Sequence, residues 1–168
     1  ETHPTLSGSW GLFDTIPGWK AVGEYPIEIG TGPTYGVTGF DGQIVMELDS
    51  TGNVMVDQIL ATSGGSYTLS FLYARRLGVN ASSTTFEVWW NGNWVTSVSP
   101  EDTVMSLFSA TVVGSAENTL EFRGTGNQDS YGGIIDNVQL NASVPDGGMT
   151  LSMLGMALTG LGLLRRKA

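Results

Sequence analysis

The chain has 168 residues, a formal net charge of -9, 24 glycines and no cysteine. Lack of cysteine excludes a disulfide framework, a thiolate metal site and a thiol nucleophile. The charge is concentrated ahead of the last 25 residues, where 15 acids face 4 bases, and such a surface repels nucleic-acid phosphates and anionic headgroups, so nucleic acid is not an expected partner.

Residues 1–143 suffice for one domain with its own core. Glycine, serine, threonine, valine and aromatic residues outweigh alanine, lysine and glutamate, a balance that favours short strands joined by turns. In chain order, Trp10, Phe13 and Trp19 surround an Ile16-Pro17-Gly18 turn and are expected to close one end of the core. Residues 27–29 form a short strand, and 30–42, with Gly-Pro and Asp-Gly signals, a long loop. Residues 43–49 alternate, placing Ile44, Met46 and Leu48 inward and Val45, Glu47 and Asp49 outward toward solvent. A strand over 54–60 follows. Tyr67, Leu69, Phe71 and Tyr73 then mark the buried face of the next.

Strands over 84–90 and 94–98 flank Asn91-Gly92, a strong hairpin signal because both central residues of a type I′ turn need positive φ. Strands over 106–113 and 119–123 carry Phe108, Ala110, Val112, Leu120 and Phe122 inward, and a last strand spans 133–140. About nine strands without an amphipathic helix argue for an all-β, jelly-roll β-sandwich.

The hairpin supplies the sharpest binding candidate. A two-residue Asn91-Gly92 loop opposes Trp89 to Trp94 on one face, while Phe86, Val88 and Trp90 take the other as core. The Trp89 and Trp94 face also carries Glu87 and Thr96 and should meet solvent. Two indoles there form an apolar platform of the kind on which pyranose rings stack. The competing readings are a cross-strand pair that only stabilises the hairpin, by about 0.5–1.5 kcal/mol, and a pair covered by the loop that holds Thr34 and Tyr35.

Other candidates carry less. Asp136 shares its alternation with Ile134 and Val138, so its carboxylate must be paired or bound to a cation; the possible partners are Arg123, Arg75, Arg76, loop amides or a metal. Glu47 and Asp49 lie about 7 Å apart on one strand, but neighbours on one strand do not flank a glycosidic bond from opposite sides. They read as a solvated face or an extra cation site. His3 is the only histidine, so no triad or imidazole cluster can form. Residues 129–133 form a turn able to order a cation or a sugar hydroxyl. The body reads as a non-enzymatic module.

The chain ends on Val144-Pro145-Asp146-Gly147-Gly148, an uncharged stretch over 149–164, and the basic end 165–168 with Arg165, Arg166 and Lys167. An apolar run closed by basic residues reads as a single C-terminal apolar helix crossing the membrane. This order resembles the PEP-CTERM class of bacterial sorting signals in its Val-Pro-Asp-Ser-Gly variant, with Gly147 where that variant has serine. The resemblance implies an inner-membrane-anchored precursor, an exosortase-type transpeptidase as partner, cleavage near residues 144–148, and delivery to the cell surface or extracellular matrix. A plain membrane anchor is the alternative.

A second resemblance covers most of residues 1–143. Trp10-Gly11-Leu12-Phe13, Ile16-Pro17-Gly18-Trp19, Glu47-Leu48-Asp49-Ser50, Tyr67-Thr68-Leu69-Ser70-Phe71, Trp90-Asn91-Gly92 and Ile135-Asp136-Asn137-Val138 look like exported bacterial domains similar to galactose-binding-like sandwiches, the fold of many carbohydrate-binding modules. That likeness implies a first strand ahead of Glu1. It also implies a structural calcium held by Asp136 and Glu1, and polysaccharide as partner. The alternative function is a structural or adhesive matrix protein without glycan binding; a glycoside-active enzyme is a distant third.

Overall fold

A computed structural model describes residues 3–143. Its strands are β1 (Trp10–Phe13), β2 (Thr15–Ile16), β3 (Trp19–Val22), β4 (Ile27–Thr31), β5 (Ile44–Glu47), β6 (Met55–Leu60), β7 (Gly65–Arg75), β8 (Phe86–Trp90), β9 (Asn93–Val98), β10 (Ser106–Gly114), β11 (Asn118–Gly124) and β12 (Gly133–Ala142). They form two antiparallel sheets of six, in the orders β1-β4-β5-β12-β7-β10 and β2-β3-β6-β11-β8-β9. The expected all-β sandwich is present. Each strand read from alternation is found, and the first 22 residues contribute three short strands where a turn-rich approach was expected. Among the described residues no helix is long and apolar enough to cross a membrane; the expected C-terminal helix lies outside them.

The inner faces meet on a core organised about Phe71, whose ring stacks on Phe108 at 4.8 Å and meets Phe122 edge-on at 5.0 Å. Ile27, Ile29, Met46, Leu48, Leu69 and Ile135 of the first sheet pack against Val56, Phe86, Val88, Trp90, Leu120 and Phe122 of the second. Met46, Leu48, Leu69, Phe86, Val88, Trp90, Leu120 and Phe122 are among those that alternation placed inward.

What alternation did not place is a second layer on the outer face of the first sheet. The 30–42 loop contains a one-turn helix, α1 (Gly32–Tyr35), ended by Gly36 in the left-handed region at φ 68°. The loop lies over the sheet so that Tyr35, Val37, Val45, Ala74 and Ile134 form a smaller core. Backbone bonds hold it there: Thr38 N–H donates to Thr103 O (3.0 Å), Met105 N–H to Thr38 O (2.8 Å) and Leu77 N–H to Tyr35 O (2.9 Å). The outward face of β5 is therefore not solvated. Glu47 and Asp49 are fully buried, which corrects their reading as a solvent-facing pair.

A register shift in β12 between Asp136 and Gln139, with Asn137 at φ 46°, breaks the period-two pattern. Ile135 before the shift and Val138 and Leu140 after it all pack on the main core, while Ile134 joins the outer layer. Asp136 and Val138 therefore do not share a face.

Candidate functional site

The β8–β9 hairpin turns at Asn91 (φ 52°) and Gly92 (φ 72°), and Trp89 pairs with Trp94 and Trp90 with Asn93. Both central residues have the positive φ of a type I′ turn. Trp90 points into the core, its Nε1–H donating to Val113 O at 2.8 Å. One irregularity follows: Val88 pairs with Thr96, so Val95 is an extra residue on β9. The bulge turns Val95 and Thr96 toward the core and gives the outer face to Ser97, opposite Glu87. Ser97, not Thr96, shares the face of the two indoles, and its Oγ accepts from Trp94 Nε1–H at 3.2 Å.

The two rings differ. Trp89 is half-buried; its Nε1–H donates to Glu87 Oε2 at 2.9 Å, and the Arg123 guanidinium stacks over its ring at 4.2 Å. Arg123 is held in turn by Glu121, with Nη2 at 2.7 Å from Oε2. Register sets this arrangement, because Glu121 lies opposite Trp89 and Arg123 opposite Glu87 on the adjoining β11. Trp94 is 55% exposed. The 30–42 loop lies on the other sheet, so neither Thr34 nor Tyr35 covers the pair. The site offers one open indole beside a second ring clamped by an arginine, with hydrogen-bonding groups from Glu87, Glu121 and Ser97 around them.

A second arrangement lies under the outer layer of the first sheet, where sequence reading offered Glu47 with Asp49, and the 129–133 turn, as cation candidates but did not expect a buried carboxyl pair. Glu28 on β4 and Glu47 on β5 are cross-strand partners. Arg76 Nη1 donates to both Glu47 oxygens, at 2.9 and 2.7 Å, and Gly132 N–H donates to Oε1 at 2.8 Å. Tyr35 O–H donates to Glu28 Oε1 at 3.1 Å. The Arg76 guanidinium lies 5.2 Å from the ring centre of Tyr35 and 4.7 Å from that of Tyr131. Burial pushes the Glu47 carboxyl up to about 8 despite Arg76 and the Gly132 amide, and raises Glu28 as well. Tyr35 is raised by burial and by the two carboxylates beside it. Two carboxyls sharing one guanidinium out of water do not both ionise readily.

Next to this pair, Asp49 Oδ2 accepts from Asp129 N–H (3.0 Å) and Ser130 N–H (3.1 Å), while burial raises its carboxyl. A cleft of about 490 Å³ opens above, lined by Tyr35, Arg76, Asn80, Ser83, Asp129 and Tyr131. Two signals in the sequence point here: glutamates within otherwise apolar strands of a chain so poor in bases, and a 13-residue loop long enough to cover a sheet face.

Asp136 is nine-tenths buried. Its Oδ2 accepts from Asp41 N–H at 2.6 Å and its Oδ1 from Asn137 N–H at 2.7 Å, so of the partners considered, loop amides are present. Arg75, Arg76 and Arg123 are engaged elsewhere. Asp136 lies on a cleft of about 210 Å³ that includes His3, Trp19 and Ile44. Among the described residues no three His, Cys, Asp or Glu side chains converge as a metal site. Glu1 and the motif Val144, Pro145, Asp146, Gly147 and Gly148 lie outside the described residues.

Comparison with known proteins places the two parts of the chain separately. Residues 143–168 match the family described as the VPDSG-CTERM motif, so the chain ends in a PEP-CTERM-like sorting signal. Over 126 residues the chain is 36% identical to a multifunctional-autoprocessing repeats-in-toxin protein of Vibrio vulnificus, and over 111 residues 37% identical to its counterpart in Vibrio cholerae. These matches cover 72% and 64% of the chain but about 2% of the length of each toxin. Among solved structures, a CBM35 from Paenibacillus barcinonensis aligns with a TM-score of 0.52 and 19% identity, over 81% of this chain and all of that one. A family 35 carbohydrate binding module from Clostridium thermocellum gives 0.51 and 15%, over 75% and 93%. The GH26-CBM35 β-(1,4)-mannanase of Podospora anserina gives 0.51 and 20%, over 74% of this chain and 26% of the enzyme. At these identities the likeness establishes the fold alone, a two-sheet β-sandwich like that of CBM35.

Proposed function

We propose that this chain is a non-catalytic, exported and surface-associated module that binds polysaccharide through the outer face of the second sheet, with Trp94 as the stacking ring. The observation that carries this reading is the contrast between the two indoles: Trp89 is clamped by Arg123 and Glu87, whereas Trp94 is more than half exposed beside it. A rigid ring next to an open one presents apolar area with little conformational entropy left to lose on binding. Glu87, Glu121 and Ser97 supply hydrogen-bonding groups at the rim. The acidic body disfavours anionic polymers, so the ligand class is a neutral polysaccharide. In this reading the C-terminal apolar stretch holds the precursor in the inner membrane, and an exosortase-type transpeptidase cleaves near residues 144–148 and releases the mature form to the surface. A structural calcium at Asp136, completed by Glu1, belongs to the same reading. Asp136 fits it as a buried carboxylate on a cleft, the kind of oxygen donor that calcium accepts.

A second reading is a matrix protein that associates through its sheet edges. It is favoured by β10, a nine-residue edge strand without a charge or a proline, which is the kind of edge that pairs with other chains. Affinity electrophoresis against a panel of neutral and acidic polysaccharides separates the two. Retention by a neutral polymer that Trp94→Ala abolishes, with stability changed by no more than about 1.5 kcal/mol, supports glycan stacking. Parent and variant migrating alike in every gel would refute it.

A further inference from the structure

Two buried oxygens in the turn after β5 have no hydrogen-bond partner: Asp49 Oδ1 and Asn53 Oδ1. They are neighbours, because Asp49 and Asn53 form an isolated antiparallel bridge, and directly opposed residues have Cβ atoms about 4.5–5.5 Å apart. The other end of each side chain is fixed. Asp49 Oδ2 takes the Asp129 and Ser130 amides, and Asn53 Nδ2–H donates to Gly126 O at 2.8 Å. That last bond sets the orientation of the Asn53 amide, since turning it over would set Oδ1 against the Gly126 carbonyl, acceptor on acceptor. Two buried acceptors on bridge-paired residues are thus left without donors, a desolvation cost that goes unrecovered unless something positive lies between them.

We propose that Asp49 Oδ1 and Asn53 Oδ1 are ligands of a divalent cation site, filled by calcium, which pins the turn at 49–53 to the loop 124–131. The donor set is all oxygen, which excludes the softer metals. Its side-chain donors are one carboxylate and one amide oxygen, oxygen types that calcium accepts in a flexible shell of about 6–8 ligands, whereas magnesium demands a near-octahedral one. Asp49 is fully buried, and the backbone amide of a second acidic residue, Asp129, is fixed to its other oxygen, so the site gathers acidic residues where a cation is a better partner than a bridging water. Gly124 brings the backbone of the 124–131 loop against this turn, since a Cβ there would strike Leu48 O and lie 3.3 Å from Asn53 Oδ1. This site is separate from Asp136 and independent of glycan binding at Trp94.

The test uses the full chain, stripped with chelator and titrated with calcium chloride, in an Asp136→Asn background so that the other carboxylate does not contribute. The expected result is a melting temperature that rises by about 4 °C for each tenfold increase in free calcium above Kd. Asn53→Ala should remove that response, and Asn53→Asp, which adds a carboxylate oxygen, should shift it to at least tenfold lower calcium. If Asp136→Asn does not fold, calorimetric stoichiometry on the parent serves instead, with Asn53→Ala lowering it by one equivalent. The proposal is overturned if calcium has no effect in the Asp136→Asn chain, or if Asn53→Ala leaves the response or the stoichiometry unchanged. It is equally overturned if stability rises on acidification with no dependence on calcium, because a proton shared between the two oxygens would then take the place of the metal.

Discussion

Replacing Glu47 by glutamine tests the least expected feature of the fold, a buried carboxyl pair inside a sheet. Glu47 is fully buried and pushed up to about 8 from an ordinary 4.5. Between those two values the folded chain retains a proton that the unfolded chain has released. Stability contributed by this group is therefore complete below about pH 4.5 and lost progressively as the pH rises to 8. One proton corresponds to about 1.4 kcal/mol per pH unit, so the loss between pH 5.5 and 7.5 is on the order of 3 kcal/mol. With an unfolding entropy of about 2.1 cal/mol/K per residue, that is roughly 9 °C in melting temperature for a domain of this size. The amide of Glu47→Gln keeps an acceptor for the Gly132 N–H and for Arg76, whose side chain is 22% exposed and can reach water. Thermal melts from pH 5.5 to 7.5 should show the parent losing stability relative to the variant by about that amount. Arg76→Ala removes a group that lowers the Glu47 carboxyl, so the proton should be held to higher pH and the decline of stability with pH should extend further than in the parent. Parallel melting profiles for parent and Glu47→Gln would refute the buried-pair argument.

Gly92→Ala places a Cβ in open space but at φ 72°, so it should cost roughly 1–2 kcal/mol, all of it backbone strain, measurable in urea without change in the denaturant slope. In an Asn53→Ala background, chelation should still lower the melting temperature of a chain that begins upstream of Glu1, and adding Asp136→Asn should abolish that remaining response; equal melting with chelator and calcium in the Asn53→Ala chain would remove calcium from Asp136. Intact-mass measurement of protein extracted from the cell surface should give a chain ending near residues 144–148 and lacking Arg165, Arg166 and Lys167. Recovery of Arg165 would leave a plain membrane anchor.

The main sheets were legible because their information is local. Tyr67, Leu69, Phe71 and Tyr73 on β7, and the Asn91-Gly92 turn that opposes Trp89 to Trp94, depend on period two and on positive φ, both properties of neighbouring residues. The sorting signal is legible for the same reason, being a linear order of short segments. Bulges are not. At Val95 and Asn137 one residue more or less than alternation allows moved Thr96 inward and separated Asp136 from Val138, and neither site carries a glycine to announce it.

By itself, the sequence determined that the chain is an acidic β-sandwich with a C-terminal sorting signal and a pair of indoles, Trp89 and Trp94, opposed on the outer face of one hairpin. Only the tertiary structure decided what covers the second face of the first sheet. Alternation states that Glu47 and Asp49 point away from the main core, but whether that direction leads to water depends on where a loop from residues 30–42 comes to rest. Its anchors are backbone bonds to Thr103 O and from Met105 and Leu77 N–H, and a backbone hydrogen bond between distant segments leaves no mark in side-chain pattern. The same contact network that buried the glutamates brought Arg76 and Tyr131 over them, and so set their charge.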